Sequence, residues 1–248
     1  MTAERARAAR LAKARLYLVA TVPAAAVHAP GAGPGAALDQ LLDRIAAAAA
    51  AGAGLVQLRV KQASAGERRA LLERLRARLP ADTLLLVNDD LDAVVDPAGR
   101  PLADGVHLGR EDAAALAPPE VEGGRAARVR AGLVSARRRL GPELLLGTSV
   151  RTLDELAAAV EAGADHAGFG AMADSPSKPD TVRADPAELS RCLAAFERFP
   201  LFPIGGLRPA DLDGLKRAGC RRAALGSSIL QADDPAAVVR ECLRRLAR

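Results

Sequence analysis

Gln57, Arg59 and Lys61 recur at every second position of one apolar run, GLVQLRVK, so an extended chain there turns all three to one face. Two cations on a common face suit a polyanion such as a diphosphate. Next come Asn88, Asp89 and Asp90 at the end of TLLLVNDD, and Glu111 and Asp112 shortly after DGVHLG. Asp89 and Asp112 are available to hold a hard divalent cation, since Mg²⁺ takes one or two carboxylates together with phosphate oxygens. Farther along, DHAGFG breaks into a polar loop in which Ser175, Ser177 and Lys178 surround a proline. Hydroxyls, backbone N–H groups and one ammonium at a strand end make a phosphate cradle. Gly206, Gly226 and Ser227 lack the bulk that would keep backbone N–H groups from a second, smaller anion.

Each group alone is ordinary turn or cap chemistry. Their positions in the chain connect them. LYLVA from Leu16, GLVQLRVK, TLLLVNDD, DGVHLG, ELLLGTS, DHAGFG, FPLFPIGG and RRAALGSS are eight short apolar runs, and helical patterns separate them. Continuous apolar strands alternating with helices imply a parallel sheet covered on both faces. Eight repeats predict an α/β fold of the (βα)8 TIM-barrel class, whose active sites sit at the C-terminal ends of the strands. The polar residues collect at those ends. A doubly wound open sheet is disfavoured, because no G-x-G-x-x-G follows the first run.

The expected organisation is an N-terminal tail or short helix over 1–15 and one barrel over 16–248. An Ala/Arg-rich insertion is expected at about 113–140, with a Pro/Gly-rich break at 118–124 and a basic helix ending near Leu140. A chain of 248 residues, half of them hydrophobic, can bury a large core. The net charge of +5 invites a nucleic-acid reading, but only 2% of residues are aromatic and the arginines fall on solvated helix faces. No apolar run approaches a membrane span. Three scattered cysteines, without metal-ligand spacing, fit buried thiols in a reducing, cytoplasmic setting. Neither nucleic acid nor membrane is an expected partner; association with identical copies is left open.

VQLRVK, VNDD, ADGVHLGRED, LLGTSVRTLDE, GADHAGFG with SPSK, PIGG and LGSSIL together resemble the thiamine phosphate synthase family, over nearly the whole chain from Leu16. The resemblance implies a transferase that joins a pyrimidinylmethyl diphosphate to a thiazole phosphate, releasing pyrophosphate with Mg²⁺. Gln57, Arg59, Lys61, Asn88 and Lys178 would bind the diphosphate substrate, with Ser149 close by. Asp89 and Asp112 would hold the metal. Ser175, Ser177, Gly206, Gly226 and Ser227 would hold the thiazole phosphate. The implied reaction is dissociative, so Arg59, Lys61 and Lys178 stabilise the leaving group and no strong base is needed.

The chain departs from the family pattern in places. Ser175 and Ser177 stand for threonines, Arg110 for a common glutamine and Arg151 for a frequent histidine. Two other readings are the related thiazole tautomerase branch and a non-catalytic phosphometabolite-binding barrel. Retention of Arg59, Lys61, Asp89, Asp112 and Lys178 favours the synthase. His107 and His166 receive no catalytic role, and His166, early in its strand, is expected to be packed.

Overall fold

The computed structural model describes residues 2–28, 35–174 and 182–247. In chain order the elements are α1 (Ala3–Lys13), β1 (Leu16–Thr21), α2 (Ala24–His28), α3 (Gly35–Ala50), β2 (Leu55–Arg59), α4 (Ala65–Arg76), β3 (Leu84–Asn88) and β4 (Gly105–Leu108). They continue with α5 (Arg110–Ala115), α6 (Arg125–Leu140), β5 (Leu145–Val150), α7 (Leu153–Glu161), β6 (His166–Gly170), α8 (Pro186–Ala195) and β7 (Leu201–Ile204). A 3-10 turn (Pro209–Asp211), α9 (Leu212–Arg217), β8 (Ala223–Leu225), α10 (Ser227–Leu230) and α11 (Pro235–Leu246) complete the chain.

All named strands pair in parallel, in the order β7-β6-β5-β4-β3-β2-β1-β8. This is a (βα)8 TIM barrel with its ladder open only between β7 and β8 among the described residues. Period-two alternation divides each strand between two cores. Val56, Leu58, Leu85, Val87, Val106 and Leu108 face outward and pack with the helices. Tyr17, Leu55, Leu84, Leu86, Leu145, Phe202 and Ala224 form a separate cluster in the barrel interior. With so few aromatic residues available, the outer layer is built mainly from Leu, Val, Ile and Ala, with Phe169 and the buried Cys192, Cys220 and Cys242 among them.

The N-terminal stretch folds as α1. Thr2 caps it, its Oγ1 accepting from the Arg5 N–H at 3.3 Å. Leu11 and Ala14 join the inner cluster, so α1 closes the N-terminal mouth of the barrel. Arg7 and Arg10 both donate to Asp104 Oδ1, at 3.0 and 3.3 Å, while Asp104 Oδ2 accepts from the Leu85 N–H at 2.9 Å. Arg222 donates to the carbonyls of Leu11, Ala12 and Ala14, satisfying acceptors that the end of α1 leaves open. The end opposite the strand C-termini is thus sealed.

The Ala/Arg-rich stretch at 113–140 is α5, a loop and α6. α6 links β4 to β5 as a barrel helix, burying Leu133 and Ala136 in the outer core. Arg137 spans to the next repeat, donating to the Gly163 carbonyl at 3.1 Å and pairing with Asp165 at 2.5 Å.

Candidate active site

The open end of the barrel collects those of the side chains singled out above that lie among the described residues. Gln57 and Arg59 lie on the inward face of β2, 3% and 9% exposed. Inside a barrel a polar group must find a partner; Gln57 Nε2 donates to the Tyr17 hydroxyl on β1 at 2.5 Å. Arg59 is the last residue of β2, opposite Thr21 of β1. Burial pushes its guanidinium down from the usual arginine value, and the charges of Asp89 and then Asp112 pull it back up. An arginine so placed stays cationic.

β2 stops at Arg59. Its carbonyl accepts the Val22 N–H, the chain then turns, and Lys61 lies exposed in that turn. The strand expected to run through Lys61 thus ends two residues earlier, and Lys61 follows it at the open end of the barrel.

β3 ends at Asn88, and Asp89 leaves it in the left-handed region at φ 59°. That conformation costs most residues energy, and Asp and Asn tolerate it best. Three bonds hold Asp89 there. Its N–H donates to the His107 carbonyl at 2.9 Å, its Oδ1 accepts from the Gly109 N–H at 2.7 Å, and its Oδ2 accepts from Asn88 Nδ2.

Asp112, in the first turn of α5, aims its carboxylate at the same glycine. A Cβ placed on Gly109 would lie 2.8 Å from Asp112 Oδ2 and 3.5 Å from Asp89 Oδ1, so both carboxylates approach the same glycine. Burial, and then the charge of Asp89, raise the Asp112 carboxyl above the ordinary carboxylate value. Two like charges converge on one small space, the donor set that a hard divalent cation satisfies. No group of three or more metal-ligating side chains exists among the described residues, so a cation here would draw its other ligands from elsewhere.

A raised folded-state carboxyl has a defined signature in stability. The folded chain holds its proton to higher pH than the unfolded chain does, so stability falls as pH climbs from about 4 through the raised value. Asp112→Asn should therefore raise the melting temperature of metal-free protein at pH 7 and leave it unchanged at pH 3. Melting curves in chelator at both pH values check this, and an equal gain at both would assign the effect to something other than the carboxyl.

Ser149 lies on β5, half-buried, with Oγ 3.1 Å from His107 Nε2. Arg110 donates to Glu155 Oε1 at 3.1 Å, so it is drawn toward α7 and not toward the two aspartates. The other oxygen of Glu155 accepts the Arg151 N–H at 2.6 Å, and Arg151 Nε donates to the Gly170 carbonyl at 3.2 Å. Burial, and then Arg110, push the Arg151 guanidinium below its usual value.

Across the mouth, Gly206 follows β7 at φ 64°, where a side chain would collide with the Asp174 carbonyl at 2.3 Å. The backbone after β7 therefore lies directly against the chain leaving β6. Gly226 closes β8 and opens α10, with Ser227 exposed. Ser175, Ser177 and Lys178 lie outside the described residues. The structure thus brings Gln57, Arg59, Asn88, Asp89, Asp112 and Ser149 to one half of the mouth, and Gly206, Gly226 and Ser227 to the β7–β8 half.

Residue-by-residue reading left three participants unnamed. Tyr17 anchors Gln57, the Gly109 N–H fixes Asp89, and Glu155 ties Arg110 to the start of α7. Tyr17 is the only tyrosine of the chain, a signal open to sequence reading. Gly109 and Glu155 carried none.

A family model described as thiamine monophosphate synthase matches residues 32–126 and 129–229. The chain belongs to this family. It is 40% identical over 195 residues to a thiamine-phosphate synthase of Anaeromyxobacter dehalogenans (strain 2CP-C), covering 77% of this chain and 76% of that one. It is 36% identical over 198 residues to that of Thiobacillus denitrificans (strain ATCC 25259 / T1), covering 79% and 83%. With the thiamine-phosphate synthase of Synechococcus sp. (strain CC9605) it shares 36% over 211 residues, but spans only 53% of that longer protein, about half. Among solved structures, thiamine phosphate pyrophosphorylase from Pyrococcus furiosus superposes with a TM-score of 0.67 at 23% identity, covering 95% of this chain and 96% of that one. (S)-3-O-geranylgeranylglyceryl phosphate synthase from Thermoplasma acidophilum gives 0.62 at 14%, covering 99% and 98%. At those identities the likeness is one of fold. Among the described residues no helix is long and apolar enough to cross a membrane.

Proposed function

We propose that the chain condenses 4-amino-2-methyl-5-pyrimidinylmethyl diphosphate with a thiazole phosphate, giving thiamine phosphate and pyrophosphate with Mg²⁺. The observation that carries this reading is the convergence of Asp89 and Asp112 on Gly109, close enough to Arg59 for their charges to act on its guanidinium. A carboxylate pair suited to a hard cation, beside a desolvated guanidinium, is what a diphosphate leaving group needs. Membership of the family, with curated relatives called thiamine-phosphate synthase, supports the same reading.

Asp89 and Asp112 would hold Mg²⁺, which supplies charge neutralisation at the diphosphate oxygens. Arg59, preorganised at the end of β2, takes up the negative charge that grows on the departing diphosphate, and Lys61 and Lys178 add to it. Pre-set cations in a partly desolvated site need no reorganisation as that charge develops. Gln57 and Asn88 orient the pyrimidine half, and Ser149 meets it from β5. Ser175, Ser177, Gly206, Gly226 and Ser227 would take the phosphate of the thiazole, whose ring nitrogen captures the pyrimidinylmethyl carbocation. Holding two substrates in line removes most of the entropic cost of their meeting.

The test is purified protein with Mg²⁺ and both half-substrates, followed for thiamine phosphate and for pyrophosphate. Formation of both in equal amounts is expected. Binding of each half-substrate without product would overturn the synthase reading in favour of a binding barrel.

A further inference from the structure

Below the mouth, two imidazoles form a chain that the reaction outlined above leaves unused. His107 Nε2 is 3.1 Å from Ser149 Oγ, and His107 Nδ1 is 3.4 Å from His166 Nε2. His166 is completely buried, and its Nδ1 has no hydrogen-bond partner among the described residues. Tyr17 meets His166 and His107 edge-on at 5.8 and 6.1 Å between centroids, and Phe202 meets His166 at 6.3 Å. Packed aromatic rings of this kind fix the imidazole planes. Gly147 of β5 makes the His–His contact possible: a Cβ there would lie 2.1 Å from His166 Nε2 and 2.9 Å from His107 Nδ1.

We propose that His166 is a positioning residue, acting through His107 to set the Ser149 hydroxyl as a hydrogen-bond donor into the site. Proton placement follows from the buried end of the chain. An orphaned N–H donor in the interior is rarer and costlier than an orphaned acceptor, so His166 leaves Nδ1 bare and carries its proton on Nε2. Burial, and then the neighbouring His107, push His166 well below the ordinary imidazole value, so the ring is neutral and holds one proton. His166 Nε2–H then donates to His107 Nδ1. His107 in turn carries its proton on Nε2 and donates to Ser149 Oγ. With its oxygen accepting from below, the half-exposed hydroxyl has its own proton free to point into the mouth, toward an anionic oxygen. The consequence for catalysis rests on the reading of the site as a diphosphate site; the tautomers do not.

The deciding measurement is a two-bond ¹H–¹⁵N correlation spectrum of histidine-labelled, full-length protein without substrate. With three histidines in the chain, His107→Gln and His166→Phe assign the rings. Both His107 and His166 should appear as Nε2–H tautomers; an Nδ1–H form of either overturns the proposal. On the functional side, His166→Phe keeps the packing and should lower kcat/KM for the diphosphate substrate by about threefold to tenfold, the worth of one hydrogen bond. His166→Gln, which places an N–H near the Nε2 position, should recover most of that loss. In a Ser149→Ala background His166→Phe should cost nothing more, whereas losses that multiply would sink the proposal. If the phenylalanine variant does not fold, the wild-type spectrum still decides. If the tautomers are as stated and no synthase turnover exists, the functional reading fails alone.

Discussion

Asp89→Asn is expected to fold like the wild type and to lose about a thousandfold in synthase turnover, the several kcal/mol that a charge-neutralising metal site contributes. The substitution keeps what holds the local backbone. Asparagine tolerates the left-handed conformation at φ 59°, and its Oδ1 can still accept the Gly109 N–H. Asn88 needs only to turn its amide to face the new one. Charge alone is removed. Asp89→Ala should lose as much activity but also melt several degrees lower, because alanine is strained at that φ and leaves the Gly109 N–H without its acceptor. Added Mg²⁺ should raise the melting temperature of the wild type and have no effect on Asp89→Asn. Wild-type turnover in the asparagine variant would remove the carboxylate pair from the mechanism.

Arg59 is the second position where a large effect is expected. Arg59→Ala should reduce kcat/KM by about a thousandfold, and Arg59→Lys should keep about a tenth of the activity, since lysine retains the charge without the planar fork. The loss should fall on kcat as well as on KM, because the guanidinium is proposed to meet charge that grows only as the diphosphate departs. Steady-state kinetics with varied diphosphate substrate separates the two. An alanine variant changed in KM alone would make Arg59 a binding group without a part in the chemical step. Exposed Lys61 should show the milder effect of the two cations, because water screens it.

Much of the barrel was legible because its strands are buried on both faces and so read as continuous apolar runs separated by helical periods. The same rule located the site, since polar residues at the ends of apolar strands have one place to go in a (βα)8 fold. Where the reading slipped, local chain geometry was the cause. Alternation carried the strand through Lys61, whereas β2 ends at Arg59 and Lys61 lies exposed in the turn that follows. Nothing in a run of residues marks where a ladder's last hydrogen bond falls.

By itself the sequence determined the eightfold repeat, an N-terminal tail or short helix ahead of it, and the residue types gathered at the strand ends. Side-chain period and helix signals are local properties, readable without neighbours. The tertiary structure alone decided the pairings between repeats. Asp89 and Asp112 meet over Gly109 because β3 and β4 are adjacent and α5 starts beside them. His107 reaches both Ser149 and His166 because Gly147 leaves a gap between β4 and β6 wide enough for two rings. Both contacts join residues far apart in the chain, and their distances are fixed by strand register and by the absence of a Cβ, which no residue's own type reveals.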